Sequence, residues 1–117
     1  LAVLDLLPRH LGLLVDTLKK NVPHAEVWAY GSRANHLAHE SSDLDLVIRN
    51  PGQLEVPQKN LHKLRDALAE SPLPIIVEVF DWARLPETFR SEIQRQPVVK
   101  LAEPGKETLG SPWDGTQ

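Results

Sequence analysis

The sequence predicts an α/β (α+β) domain in which helices pack on a single mixed sheet of about four strands. Two observations carry that prediction. Apolar residues recur every three to four positions in some stretches and every second position in others. Turn-forming residues, among them Pro23, Gly31, Asn50-Pro51-Gly52 and Pro72/Pro74, stand where one period gives way to the next. The resulting order alternates helix and strand without an internal repeat, and such a chain buries its apolar faces by layering helices on one sheet.

Each element has its own reason. Pro8 suits the first turn of a helix, where its missing N–H costs nothing. Leu11, Leu14, Val15 and Leu18 then follow at helical spacing, and Lys19 and Lys20 favour the carboxyl end before Pro23 closes the helix. Ala25 to Tyr30 is short, rich in β-formers and ended by Gly31, so it reads as a strand. Ser32 is placed to cap a helix running to roughly Ala38. From Asp43 to Arg49, Leu44, Leu46 and Ile48 alternate with other residues at a period of two, the clearest strand signal in the chain. Asn50-Pro51-Gly52 ends it as a turn. From about Pro57 to Ser71, Leu61, Leu64 and Leu68 mark an amphipathic helix, which Pro72 and Pro74 break. Ile75 to Asp81 is β-branched and largely apolar, and reads as a buried strand. Leu85, Phe89 and Ile93 mark a further helix, and Val98 to Leu101 a short last strand.

The chain has 117 residues, about the size of one ordinary domain. Residues 1–101 are expected to form it, with residues 102–117 as an extended or disordered tail unless a partner orders them. Hydrophobic residues make up 41% and charged residues 25%, as in a soluble globular protein. With a net charge of -3 and no basic run, direct nucleic-acid binding is not expected. The chain has no cysteine, which removes disulfides and thiolate metal sites, and cytoplasm is the default compartment. The opening twenty residues are interrupted by Asp5, Pro8, Arg9 and His10. They read as an amphipathic helix rather than a signal peptide or a membrane span.

Three features bear on chemistry. Gly31-Ser32 joins a strand to a helix: the glycine permits a sharp turn, and the helix start offers free N–H groups and a hydroxyl to a phosphate. A plain turn with a helix cap would look the same. Asp43 and Asp45, two apart in a strand, project on one face while Leu44, Leu46 and Ile48 pack behind. Aspartate is a poor strand former and like charges side by side repel. A divalent cation supplies the missing motive, since Mg²⁺ takes one or two carboxylates together with substrate phosphates. A solvated strand start is the bland alternative. Glu78 is the third feature, a charge within an apolar run that is expensive unless it is paired, bound to metal or facing solvent. Asp81 competes with it, but three positions apart in a strand the two face opposite sides. His36 and His39 lack a third ligand partner, Trp28 and Trp82 read as core or interface aromatics, and Trp113 stands in the polar tail.

Together, Gly31-Ser32-Arg33-Ala34 followed by Ser42-Asp43-Leu44-Asp45-Leu46 resembles the DNA polymerase β-type nucleotidyltransferase superfamily, with ten residues between Ser32 and Asp43. Val77-Glu78-Val79-Phe80-Asp81-Trp82, with a following helix that carries Phe89-Arg90, is similar to the minimal nucleotidyltransferase (MNT) subfamily. The resemblance spans roughly residues 8 to 101 and implies the nucleotidyltransferase fold. By position it implies that Gly31, Ser32 and Arg33 hold a nucleoside triphosphate. It makes Asp43, Asp45 and Glu78 the catalytic carboxylates and ligands of two Mg²⁺ ions, and places Asp81 outside the site. The chain departs from the family's usual pattern at His36, where glycine is common, and at Glu78, where aspartate is common.

The implied activity is transfer of a nucleoside monophosphate, AMP from ATP being the expected case, to a hydroxyl acceptor. A chain of this length leaves no separate acceptor-binding domain. The acceptor is then recognised by a partner chain or a homodimer interface, or is itself a protein. Members of the MNT subfamily are often paired with a helical HEPN-domain protein as its antitoxin, which makes such a protein the implied partner. The alternative is a non-catalytic module of the same fold that neutralises a partner by contact. A small-molecule transferase of the aminoglycoside type fits less well, because that class carries an additional helical domain.

Overall fold

The computed structural model describes residues 4–35 and 43–103. Helix α1 (Pro8–Asn21) has Pro8 at its start and Lys19 and Lys20 in its last turn, and buries Leu14, Val15 and Leu18. Strand β1 (Glu26–Tyr30) leads through Gly31 into the short helix α2 (Ser32–Asn35). The remainder of the helix expected to reach Ala38, with His36 and His39, lies outside the described residues. Strand β2 (Leu44–Arg49) is followed by a turn at Pro51-Gly52, where Gly52 has φ +79° and the Gln53 N–H donates to the Asn50 carbonyl at 2.9 Å. Proline followed by a positive-φ glycine is the usual chemistry of such a turn.

Helix α3 (Leu61–Glu70) buries Leu61, Leu64 and Leu68, and strand β3 (Val77–Asp81) follows. A 3₁₀ turn at Trp82–Arg84, helix α4 (Glu87–Gln94) and strand β4 (Val99–Ala102) complete the described chain. Ala102, expected to open the tail, is the last residue of β4. Residues 104–117, Trp113 among them, lie outside the described residues.

The sheet is mixed, in the order β3-β2-β1-β4. Strand β1 runs antiparallel to β2 and β4, whereas β2 and β3 are parallel. A parallel pair needs a crossover, and α3 supplies it. One face carries Val27, Ala29, Leu44, Leu46, Ile48, Val79, Val99 and Leu101. These pack with Leu14 and Leu18 of α1 and Leu61, Leu64 and Leu68 of α3 into the main core. Among the described residues, no helix is long and apolar enough to cross a membrane.

Two expectations are corrected here. Strand β3 is not a buried strand: it sits at the sheet edge, and Ile76 just before it is 67% exposed. The apolar run is split, with Val79 in the core and Phe80 on the other face. Arg65 from α3 covers part of the open edge, its Nη2 donating to the Val79 carbonyl at 2.7 Å. Leu85, expected in the last long helix, precedes it in extended conformation. Pro86 follows, and the residue before a proline is kept out of helical geometry by the proline ring.

Candidate active site

The second face of the sheet is built in rows, because residues directly opposite one another on neighbouring strands share a face. Tyr30 is opposite Asp45, and Asp45 is opposite Glu78, so these three cross β1, β2 and β3 in one row. The next row is Trp28, Val47 and Phe80. Beyond it, Glu26 is opposite Arg49. The alternation that sends Leu44, Leu46 and Ile48 into the main core therefore sends Asp45 out to this face. Asp43, exposed, stands just before β2 and acts on Asp45 through its charge.

The electrostatics of the row follow from that crowding. The Asp45 carboxyl is pushed up to about 6, first by burial, then by the charges of Glu78 and Asp43, with a hydrogen bond to Glu78 adding to the shift. The Tyr30 hydroxyl is held above its ordinary value by burial, with Asp45 and Glu78 adding to the effect. Among the described residues, no lysine or arginine pairs with Asp43, Asp45 or Glu78. A half-buried carboxylate crowded by two exposed ones, with no basic partner among the described residues, is the environment a divalent cation relieves. Among the described residues no three His, Cys, Asp or Glu side chains are gathered closely enough to hold a metal unaided. Mg²⁺ asks for less, since phosphate oxygens and water fill its remaining positions.

The turn beside the row is tightly specified. Gly31 has φ +82°, and a Cβ built there would lie 2.6 Å from Asp45 Oδ2. Only glycine therefore suits both the backbone and the neighbouring carboxylate. The Gly31 N–H donates to Gln96 Oε1 at 3.0 Å, across 65 positions of sequence. Ser32 opens α2 and is half-buried. Arg33 is buried: its Nη1 donates to the Asp5 carbonyl at 2.9 Å, and the Asp5 N–H donates back to the Arg33 carbonyl at 2.7 Å.

Asp81 turns to the helix-covered face, opposite Ile48. Its carboxylate accepts from the Gln58 N–H at 3.0 Å and the Ala83 N–H at 3.3 Å, so it fastens the end of β3 and the 3₁₀ turn. Trp82 is buried and meets Trp28 edge-on with centroids 5.6 Å apart, while the Arg49 guanidinium lies over both rings at 4.2 and 4.6 Å. A cavity of ≈ 590 Å³ lined by Val22, Pro23, His24, Asn50, Pro51 and Lys59 lies at the other end of β1 and β2 and contains no carboxylate.

Tyr30 and Gln96 join the site without having been singled out in the sequence. An antiparallel β1–β2 pairing would have found Tyr30, because it sets the end of one strand against the start of the other. Nothing local marks Gln96.

Residues 9–107 match the family described as poly(A) RNA polymerase, mitochondrial-like, central palm domain. The chain is 38% identical over 98 residues to the probable protein adenylyltransferase MntA of Haemophilus influenzae, covering 84% of each chain. It also resembles a chain of a solved toxin-antitoxin structure with AMP-PNP, with a TM-score of 0.64 at 19% identity over 81% of this chain and 74% of that one. At that identity the likeness speaks for the fold.

Proposed function

The chain belongs to the minimal nucleotidyltransferases of the DNA polymerase β-type superfamily, and on that premise we propose that it transfers AMP from ATP to a hydroxyl group on a partner protein. The observation that carries the reading is the row of Asp45 and Glu78, with Asp43 beside it and the Gly31 turn against Asp45.

In this reading Asp43, Asp45 and Glu78 would hold Mg²⁺, which supplies charge stabilisation for the phosphates and lowers the pKa of an acceptor hydroxyl. Ser32 holds the triphosphate with its hydroxyl and N–H. The Gly31 N–H is already given to Gln96, so that glycine contributes shape rather than a donor. Arg33 serves the same binding region by fixing the turn to the N-terminal segment through Asp5. The acceptor oxygen attacks the α-phosphorus in line, the bond to the bridging oxygen breaks, and pyrophosphate leaves. Asp45 and Glu78 flank the acceptor, and whichever of the two is ionised and closer to the attacking oxygen receives its proton. The protein's main contributions are position and charge.

The MntA relative is named a protein adenylyltransferase, which supports a protein acceptor. The family resemblance supports a HEPN-type toxin as that acceptor, with this chain as the antitoxin. Calorimetric titration of ATP, with and without Mg²⁺, tests the nucleotide site on wild type and on the double variant Asp43→Asn/Asp45→Asn. We expect binding that requires Mg²⁺ and disappears in the variant. No binding to wild type would instead favour neutralisation of the partner by contact alone.

A further inference from the structure

Helix α4 lies on the same face of the sheet as the carboxylates, and its side chains divide sharply. Ile93 is buried against Tyr30, Val47 and Trp82 in the second apolar cluster. Arg90 is also buried and fastens the helix, donating from Nε to the Trp82 carbonyl at 2.9 Å and from Nη2 to the Ala83 carbonyl at 3.1 Å. Phe89, the residue before it, keeps 37% of its surface exposed. Its ring meets Tyr30 edge-on at 6.4 Å and Phe80 at 5.9 Å. Tyr30 is in the carboxylate row and immediately precedes Gly31, whereas Phe80 is two positions beyond Glu78 on the same face. Phe89 thus stands at the boundary between the apolar cluster and the carboxylates, in contact with the residue that precedes Gly31.

We infer that the exposed face of Phe89 is the stacking surface for the nucleobase of the bound nucleotide. This rests on the proposed nucleotide site. The ring is held in place before any ligand arrives, by Tyr30 and Phe80 beneath it and by Arg90 along the helix, so stacking orders no new side chain. A base is tethered to the phosphates through its ribose and so arrives beside the carboxylate row. Stacking on an aromatic face needs no base-specific hydrogen bond, and among the described residues Phe89 is the aromatic at this margin with substantial exposed surface.

Calorimetry with ATP and with inorganic triphosphate, each with Mg²⁺, tests the inference on wild type, Phe89→Ala, Phe89→Leu and Phe89→Tyr, with thermal melts confirming that each is folded. Loss of a base–aromatic stack weakens binding by roughly tenfold or more. We expect that loss for ATP in Phe89→Ala and Phe89→Leu, retention of ATP affinity in Phe89→Tyr, and no change for triphosphate in any variant. Unchanged ATP affinity in Phe89→Ala and Phe89→Leu overturns the inference while leaving the nucleotide site in place. Equal loss for ATP and triphosphate also overturns it, because the effect is then on the phosphate turn. Wild type that binds neither ligand overturns the nucleotide site and this inference with it.

Discussion

Asp45 is under tension that the fold itself creates. Its neighbours are two carboxylates and a glycine too close to admit a methyl group, and its own burial opposes ionisation. The folded protein therefore keeps the Asp45 proton up to about pH 6, whereas the unfolded chain gives it up near 3.8. Between those values the folded state binds more protons, so this group's contribution to stability declines as pH rises. Asp45→Asn removes the ionisation. Its melting temperature in chelator should exceed that of wild type, by a margin that widens as pH is raised from about 4 to about 7. A margin that stays constant over that range would show that Asp45 is not strained. This residue was legible in the sequence through the spacing of Asp43 and Asp45. Glu78 was legible for a weaker reason, because the cost of a buried charge does not apply to an exposed side chain at a sheet edge.

Element boundaries were readable wherever one residue decides them. Pro8 opens α1, Gly52 makes the turn after β2, and the leucines of α3 fall on its buried face. The 3₁₀ turn at Trp82–Arg84 was not read from its local cap alone, the Asp81 side chain accepting from the Ala83 N–H, because it is completed from the next helix, where Arg90 collects the carbonyls of Trp82 and Ala83. Strand order was hidden for a similar reason, since an apolar run looks alike at the edge and in the middle of a sheet. Arg90 is then the residue on which the placement of α4 depends. Its fork also reaches Glu55 Oε2 at 2.9 Å. Lysine keeps the charge but carries all its donors on one nitrogen and cannot span acceptors that the arginine reaches from three, so Arg90→Lys should lower stability by about 2 kcal/mol in urea titration. An unchanged midpoint would mean that α4 is held by Ile93 and its apolar neighbours alone.

Across the whole molecule the sheet separates two tasks. The face under α1 and α3 is apolar and supplies stability, and the opposite face carries the carboxylates, aromatics and arginines. Substitutions on the first face should therefore change how much protein is folded, not what the folded protein binds. Leu64 is fully buried, and Leu64→Ala should cost about 2–5 kcal/mol by urea titration. Its ATP affinity, measured where the variant remains folded, should match wild type. A large affinity change would show that strain crosses the sheet. The bond between Gly31 and Gln96 also sets a timetable for the chain as it is made. The amide that shapes the turn waits for an acceptor 65 residues downstream. At about 5–20 residues per second, a ribosome takes roughly 3–13 s to supply it. Throughout that interval the glycine and serine, joined on the way by Asp43 and Asp45, belong to a nascent polypeptide whose turn still lacks its partner, so the newborn chain completes this turn only after Gln96 has been made.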